Sequence, residues 1–267
     1  MDLKSERVRG ASWYLKEALR ILAEAKSVEE AVREIKGVRP GMAPLDVLAL
    51  VVEIATRRGM DLRGVLERLL AYMDRAQAEL RKVASGLALH CPAEFATISF
   101  SRAVTDFVAA RRDCIKRLYL LESRPGEEAE AAYREYSRYV EVAAIPDAAM
   151  GSVGFKYVVV GLDGLYADGY AFNKVGTLPL LATARAVGAM GIAVFESYKM
   201  APGDSPEPYR VQAEVLGRRI EVPLFDKFKA ELIDVALTDL GVFERPDGGL
   251  AVRGWNALVK WLGITDL

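Results

Sequence analysis

The sequence predicts an α/β fold: a helical N-terminal domain over residues 1–90, then a parallel-sheet domain over 91–267 that ends in a helical tail. Two observations carry this. From about Ser5 to Leu89 the apolar residues recur with helical period and no strand is convincing. After Pro92, short apolar runs rich in β-branched and aromatic residues alternate with amphipathic stretches, the pattern of a parallel sheet covered on both faces. With 52% hydrophobic and 27% charged residues, the chain has ample material for a packed core.

The helices come first. "ASWYLKEALRILAEA" sets Trp13, Leu15, Leu19 and Leu22 near one stripe, with Lys16, Glu17 and Arg20 mostly opposite. "SVEEAVREIKG" opens with a serine cap and acids in its first turn and closes at Gly37. "APLDVLALVVEIATRRG" and "DLRGVLERLLAYMDRAQAELRKVASG" continue the pattern, and Gly86 ends the second. Strands are expected at "FATISF", "RLYLLES", "VEVAAI", "YVVVGL" and "IAVFES". Between them lie helices at "SRAVTDFVAARR", "GEEAEAAYREYSRY" and "LPLLATARAVGAM", with a short element near "PDAAMGSVG". The tail carries Trp255 and Trp261 on a further helix, suited to packing or to an oligomer interface.

Composition excludes several classes. A net charge of -1 without blocks of like charge argues against direct nucleic-acid binding. No apolar run reaches a membrane span, and "MDLKSERVRG" lacks a signal peptide's apolar core, so a cytoplasmic protein is expected. His90, Cys91 and Cys114 are the only residues of their types, which excludes a usual Cys/His zinc site and makes a disulfide framework improbable. No G-x-G-x-x-G follows the first strand, so a dinucleotide cofactor is not expected. Few amides and many arginines match the composition of thermophile proteins.

In such sheets a ligand lies past the carboxyl ends of the strands. There the sequence places Ser99, Ser101 and Arg102, then Glu122 to Pro125, then Asp147, Asp163, and finally Glu196 to Lys199. Arg102, Arg124, Lys174 and Lys199 supply positive charge, and Ser101 and the Gly176-Thr177 pair open helices whose starts favour an anion. Together these suit one or two phosphates. Each residue also has a plainer use. Asp163 is equally at home capping a glycine-rich turn, Asn173-Lys174 read alone fit a turn better than a ligand contact, Arg124 fits a loop ion pair, and Ser99 and Ser101 fit strand-end caps.

"GLDGLYADGYAFNKVGT" resembles the signature of the translation initiation factor 2B alpha/beta/delta subunit family, which also contains isomerases of ribose 1,5-bisphosphate and methylthioribose 1-phosphate. "ERVRGASWYL", "SFSRAV", "LLESRPGEEAE", "IPDAAMGSV", "FESYKM" and "VPLFDKFKAELIDVALTDLGVF" resemble further family segments in order. The resemblance implies a Rossmann-like second domain, no cofactor, a homodimer or higher homo-oligomer, and initiation factor 2 as a further partner. It implies phosphate contacts from Arg9, Gly10 and Ala11, and a substrate-facing Arg39. Further contacts fall to Ser101, Arg102, Asn173, Lys174 and Lys199. The isomerases use an aspartate and a cysteine to shuttle a proton. The aspartate corresponds to Asp163, and the cysteine's position holds Ser99. The initiation-factor branch carries Ser-x-Ser-Arg there, as "SFSR" does here. A hydroxyl without a strong partner is a poor base near neutral pH. The resemblance therefore implies an initiation factor 2B-like protein with a sugar-phosphate or nucleotide pocket. The alternative is an isomerase using Asp163 with Ser99 or water.

Overall fold

The computed structural model describes Leu3, Glu6 and residues 9–264; Arg7 and Val8 of "ERVRG" lie outside the described residues. Four helices come first: α1 (Ala11–Glu24), α2 (Val28–Lys36), α3 (Ala43–Arg57) and α4 (Leu62–Gly86). Then follow β1 (Ala93–Thr97), α5 (Arg102–Ala110), β2 (Ile115–Leu121), α6 (Ala129–Tyr136) and β3 (Val142–Ile145). After a 3-10 turn over Asp147–Ser152 come β4 (Tyr157–Val160), β5 (Gly164–Tyr166), β6 (Tyr170–Lys174), α7 (Thr177–Val187) and β7 (Met190–Val194). The chain closes with β8 (Met200–Ala201), β9 (Arg210–Val215), β10 (Arg218–Pro223), β11 (Phe225–Lys229), β12 (Val235–Thr238), β13 (Gly241–Glu244) and α8 (Gly248–Leu262).

Seven strands form the main sheet in the order β13-β12-β7-β4-β1-β2-β3, parallel except for the final β12–β13 hairpin. This is the doubly wound order. The chain moves outward from β1 to β3, then returns to the other side of β1 at β4. The carboxyl ends of β1 and β4 thus flank the topological switch point, where such sheets bind ligands.

Both faces of the sheet are buried, which explains the continuous apolar runs. Tyr157 and Val159 pack with Phe95, Phe107 and Tyr136 under α4, α5 and α6. The alternate residues Val158 and Val160 pack with Ala96, Leu181 and Ala184 under α7. A third cluster joins α1 to α4 with α8, and Trp255, Leu258 and Leu262 are built into it. Trp255 of the tail is therefore buried, while Trp261 remains partly exposed and donates to the Arg68 carbonyl. Ser27 caps α2 as expected, accepting from Glu30 N at 3.3 Å. In α1 the buried stripe runs through Tyr14, Leu15, Ala18, Leu19 and Leu22. Trp13 lies off it, one helical step aside, and lines a cavity instead.

Two expectations need correction. The glycine-rich stretch after β4 is not a plain turn. It forms the β5–β6 hairpin, which joins β11 and β8 in a separate four-stranded sheet. Its partners arrive more than twenty residues later, beyond any local pattern. Second, Cys91 and Cys114 form a disulfide. The parallel register sets Ala93 opposite Ile115, so the residues just ahead of β1 and β2 meet. Spacing alone gives no sign of that register. Disulfides are uncommon in cytosolic proteins outside hyperthermophiles.

This bond closes a loop of 23 residues, for which chain entropy corresponds to about 3 kcal/mol. The variant with Cys91→Ser and Cys114→Ser is expected to melt below the oxidised wild type, and reductant should bring the wild type down to the variant. Coincident melting curves without reductant would show that the bond does not form in solution.

Candidate functional site

A cavity of about 680 Å³ opens at the switch point. Three chain turns build its floor. After β1, Ser99, Ser101 and Arg102 enter it; after β4, Gly161 and Asp163 do; the β6 end contributes Asn173 and Lys174. Lys199 reaches it from beyond β7, and Arg9, Gly10, Ala11 and Arg39 close it from the helical layer. Residues from six separate stretches of the sequence therefore share one space.

Hydrogen bonds across the layers fix this arrangement. The hydroxyl of Tyr198 pairs with Ser12 Oγ at 2.8 Å and accepts from Gln77 Nε2 at 3.3 Å, which ties α1 and α4 to the end of β7. Tyr72 meets Ser197 Oγ at 2.6 Å, and Ser197 in turn donates to Asp239 from Oγ at 2.7 Å. The backbone of Asp163 is held on both sides: its N–H donates to the Phe172 carbonyl at 2.8 Å, and its carbonyl accepts from Ala43 N at 3.0 Å. The first turn of α1 has no side-chain cap at Gly10, and Gly10, Ala11 and Ser12 line the cavity.

Ser101 caps α5, accepting from Val104 N at 3.5 Å. It packs so tightly on the end of β4 that a Cβ on Gly161 would stand 2.5 Å from its Oγ. Ser99 adopts a left-handed backbone with φ of 66°, uncommon for a residue with a Cβ. Its N–H donates to Ser123 Oγ at 2.8 Å, and the Tyr136 hydroxyl donates to its carbonyl at 3.3 Å.

The charges are heavily paired. Glu196, 0% exposed, bridges Arg102 and Lys199, with the lysine at 3.2 Å. Arg102 also pairs with Asp106. Glu128, 2% exposed, accepts at Oε1 from Ser99 Oγ at 2.7 Å and holds Lys174 Nζ at 3.0 Å. Arg39 donates to the Glu6 carbonyl and lies over the rings of Tyr14 and Tyr209, and its buried Nε has no hydrogen-bond partner among the described residues.

Burial pushes the Asp163 carboxyl above its ordinary value. The positive charges of Lys199 and Lys174 pull it back, and Glu128 adds to the rise. Burial likewise pulls the Lys199 ammonium down to about 8, against the attraction of Asp163 and with the repulsion of Arg102. Burial thus works against the charged form of both groups, which brings the acid and the amine closer in proton affinity than the free groups and suits proton exchange with a bound ligand.

All but one of the expected site residues line this cavity. The exception is Arg124, which is exposed and pairs with Glu122 at 2.8 Å, the loop ion pair that its position also allowed. The start of α7 is not free for an anion either. Asp226 Oδ2 accepts from Gly176 N and Leu178 N, both at 2.8 Å, and so fills that site. Thr177 is likewise internal, donating to the Lys174 carbonyl at 2.7 Å and accepting from Asn173 Nδ2 at 2.9 Å. Sequence reasoning missed Glu128. Its signal was present: Glu128, Ala132 and Tyr136 follow at four-residue steps, which sets an acid on the buried stripe of α6.

The model of the initiation factor 2 subunit family matches residues 11–245. A Pyrococcus horikoshii protein described as translation initiation factor eIF-2B subunit 2-like is 32% identical over 264 residues, covering 92% of this chain and 95% of its own. A methylthioribose-1-phosphate isomerase of Pseudomonas syringae is 27% identical over 275 residues, covering 90% of this chain and 75% of its own. Among solved structures, the translation initiation factor eIF-2B of Pyrococcus horikoshii superposes with a TM-score of 0.81 at 27% identity, over 91% of this chain and 94% of the other.

Two measurements follow from this geometry. The ionised form of Asp163 costs stability above its raised folded value, and that cost disappears below the unfolded range near 3.8. Asp163→Asn is therefore expected to melt above the wild type at pH 7, with the gap closing towards pH 4; a gap constant with pH would contradict this. Gly161→Ala should cost about 1–3 kcal/mol by crowding Ser101, read in denaturant unfolding.

Proposed function

Because the chain belongs to the initiation factor 2 subunit family, we propose that it is an initiation factor 2B-like protein that binds a phosphorylated sugar or nucleotide in this cavity without efficient turnover. The observation that carries this reading is the convergence of Arg9, Arg39, Arg102, Lys174 and Lys199 on one cavity whose turn after β1 presents a serine, Ser99, where the related isomerases use a thiol. The cations and the uncapped start of α1 suit a phosphate. Asp163 suits a sugar hydroxyl. Working partners in this reading are a second copy of the chain and initiation factor 2.

One observation favours a second reading, an aldose–ketose isomerase. Ser99 does have a strong partner: its hydroxyl donates to the buried Glu128 carboxylate. Such a contact can draw off the hydroxyl proton, and Asp163, which lines the same cavity, is the second proton carrier in this reading.

The deciding experiment combines binding and turnover. Wild type, Ser99→Cys and Asp163→Asn are assayed on ribose 1,5-bisphosphate and methylthioribose 1-phosphate, and melting is followed with ribose 5-phosphate and AMP. The expected result is a raised melting temperature, wild-type turnover at least about 10²-fold below that of Ser99→Cys, and none in Asp163→Asn. Fast wild-type turnover abolished in Asp163→Asn would establish the isomerase instead. No shift with any of these ligands would leave a cavity closed by its own ion pairs.

A further inference from the structure

The charge balance of the cavity narrows the ligand class. Five cations line it: Arg9, Arg39, Arg102, Lys174 and Lys199. Three carboxylates line it with them, Glu6, Glu128 and Asp163. Two more, Glu196 and Asp106, pair with those cations from behind. Arg81 shares Asp106 from outside the cavity, so among the described residues the five cations meet four carboxylates and part of a fifth. A cavity rich in cations by count is close to neutral in sum.

Glu128 is the carboxylate that sets this balance at the ligand. Glu196 and Asp106 do not line the cavity, whereas Glu128 does. It takes up Lys174 and the Ser99 hydroxyl, two groups that would otherwise serve an incoming anion. Its position is enforced: it is buried, and it fills the space beside Gly126, where a Cβ would stand 2.2 Å from its Oε2. The carboxylate has no room on that side to swing away from a second phosphate.

Each phosphate carries about −1.5 to −2 charges near neutral pH. One such group can be met by Arg39 and Arg9, with Lys199 on the floor of the same cavity. Two cannot be met without setting the second against a buried carboxylate, and a buried like-charge contact is strongly disfavoured. We propose that Glu128 is a specificity-determining residue that restricts the cavity to ligands bearing a single phosphate and free hydroxyls, and rejects bisphosphates. This rests on the ligand-binding reading above and deepens it. A single hydroxylated ligand also makes use of the Glu128–Ser99 pair, since the Ser99 oxygen can accept from a ligand hydroxyl while its own proton stays with Glu128.

The test is calorimetric titration of the full chain with ribose 5-phosphate, ribose 1-phosphate and ribose 1,5-bisphosphate, for the wild type and Glu128→Gln. The glutamine keeps the volume and an oxygen for Ser99. The wild type is expected to bind at least one monophosphate at least about tenfold more tightly than the bisphosphate. Glu128→Gln is expected to shrink that ratio about tenfold or invert it, since one cavity charge is removed. Wild-type preference for the bisphosphate would overturn the inference and leave the ligand-binding reading standing. An unchanged ratio in a folded Glu128→Gln protein would remove Glu128 from its role. Should the variant not fold, the wild-type ratio decides alone. Failure of all three ligands to bind either protein would sink the sugar-phosphate form of the ligand-binding reading, and the inference with it.

Discussion

The site depends on the burial of Glu196. A carboxylate with no solvent contact is tolerable only when its charge is met, and here Arg102 from the start of α5 and Lys199 from beyond β7 meet it. That requirement ties the turn after β1 to the turn after β7 across the intervening strand β4. The strand ends are thus locked into one surface, and the cavity is the space that remains above them. Removing one partner would leave a buried charge uncompensated, the costly case for any ion pair.

The same logic runs through the Glu128 pair. Lys174 ends β6, Ser99 follows β1, and Glu128 begins α6, so one carboxylate joins three elements of different layers. The two acids divide the cations between them. What remains for a ligand is a small set of donors: Arg39 and Arg9 above, the bare first turn of α1 beside them, and the Asp163–Lys199 pair below. A cavity organised this way is polar and preorganised, yet carries little excess charge.

The hydroxyl network of Tyr72, Ser197, Tyr198, Ser12 and Gln77 does separate work. It seats the helical layer on the sheet layer with direction as well as contact. Apolar packing between α1, α4 and the strand ends would hold the layers together but leave them free to slide. The hydrogen bonds set where the start of α1 and the middle of α4 stand relative to the end of β7.

Much of this was legible in the sequence because local patterns record burial. Tyr157 to Val160 are apolar on both sides of the strand, which marks a parallel sheet covered on both faces, and the period of α1 to α4 marks helices. The polar groups past β1, β4 and β7 were visible because strand ends are short and sharply bounded. Other features depended on pairing between distant segments, which no local pattern encodes. Register joined Cys91 to Cys114. The late strand β11 turned the glycine-rich stretch into a sheet and brought Asp226 onto the start of α7. Tertiary packing sent Arg124 outward to Glu122 and drew Glu128 inward to Ser99. The residue types that could hold a ligand were therefore determined by the sequence alone. Which of them are already satisfied by one another was decided only by the fold, because a charge is neutralised through space and not along the chain.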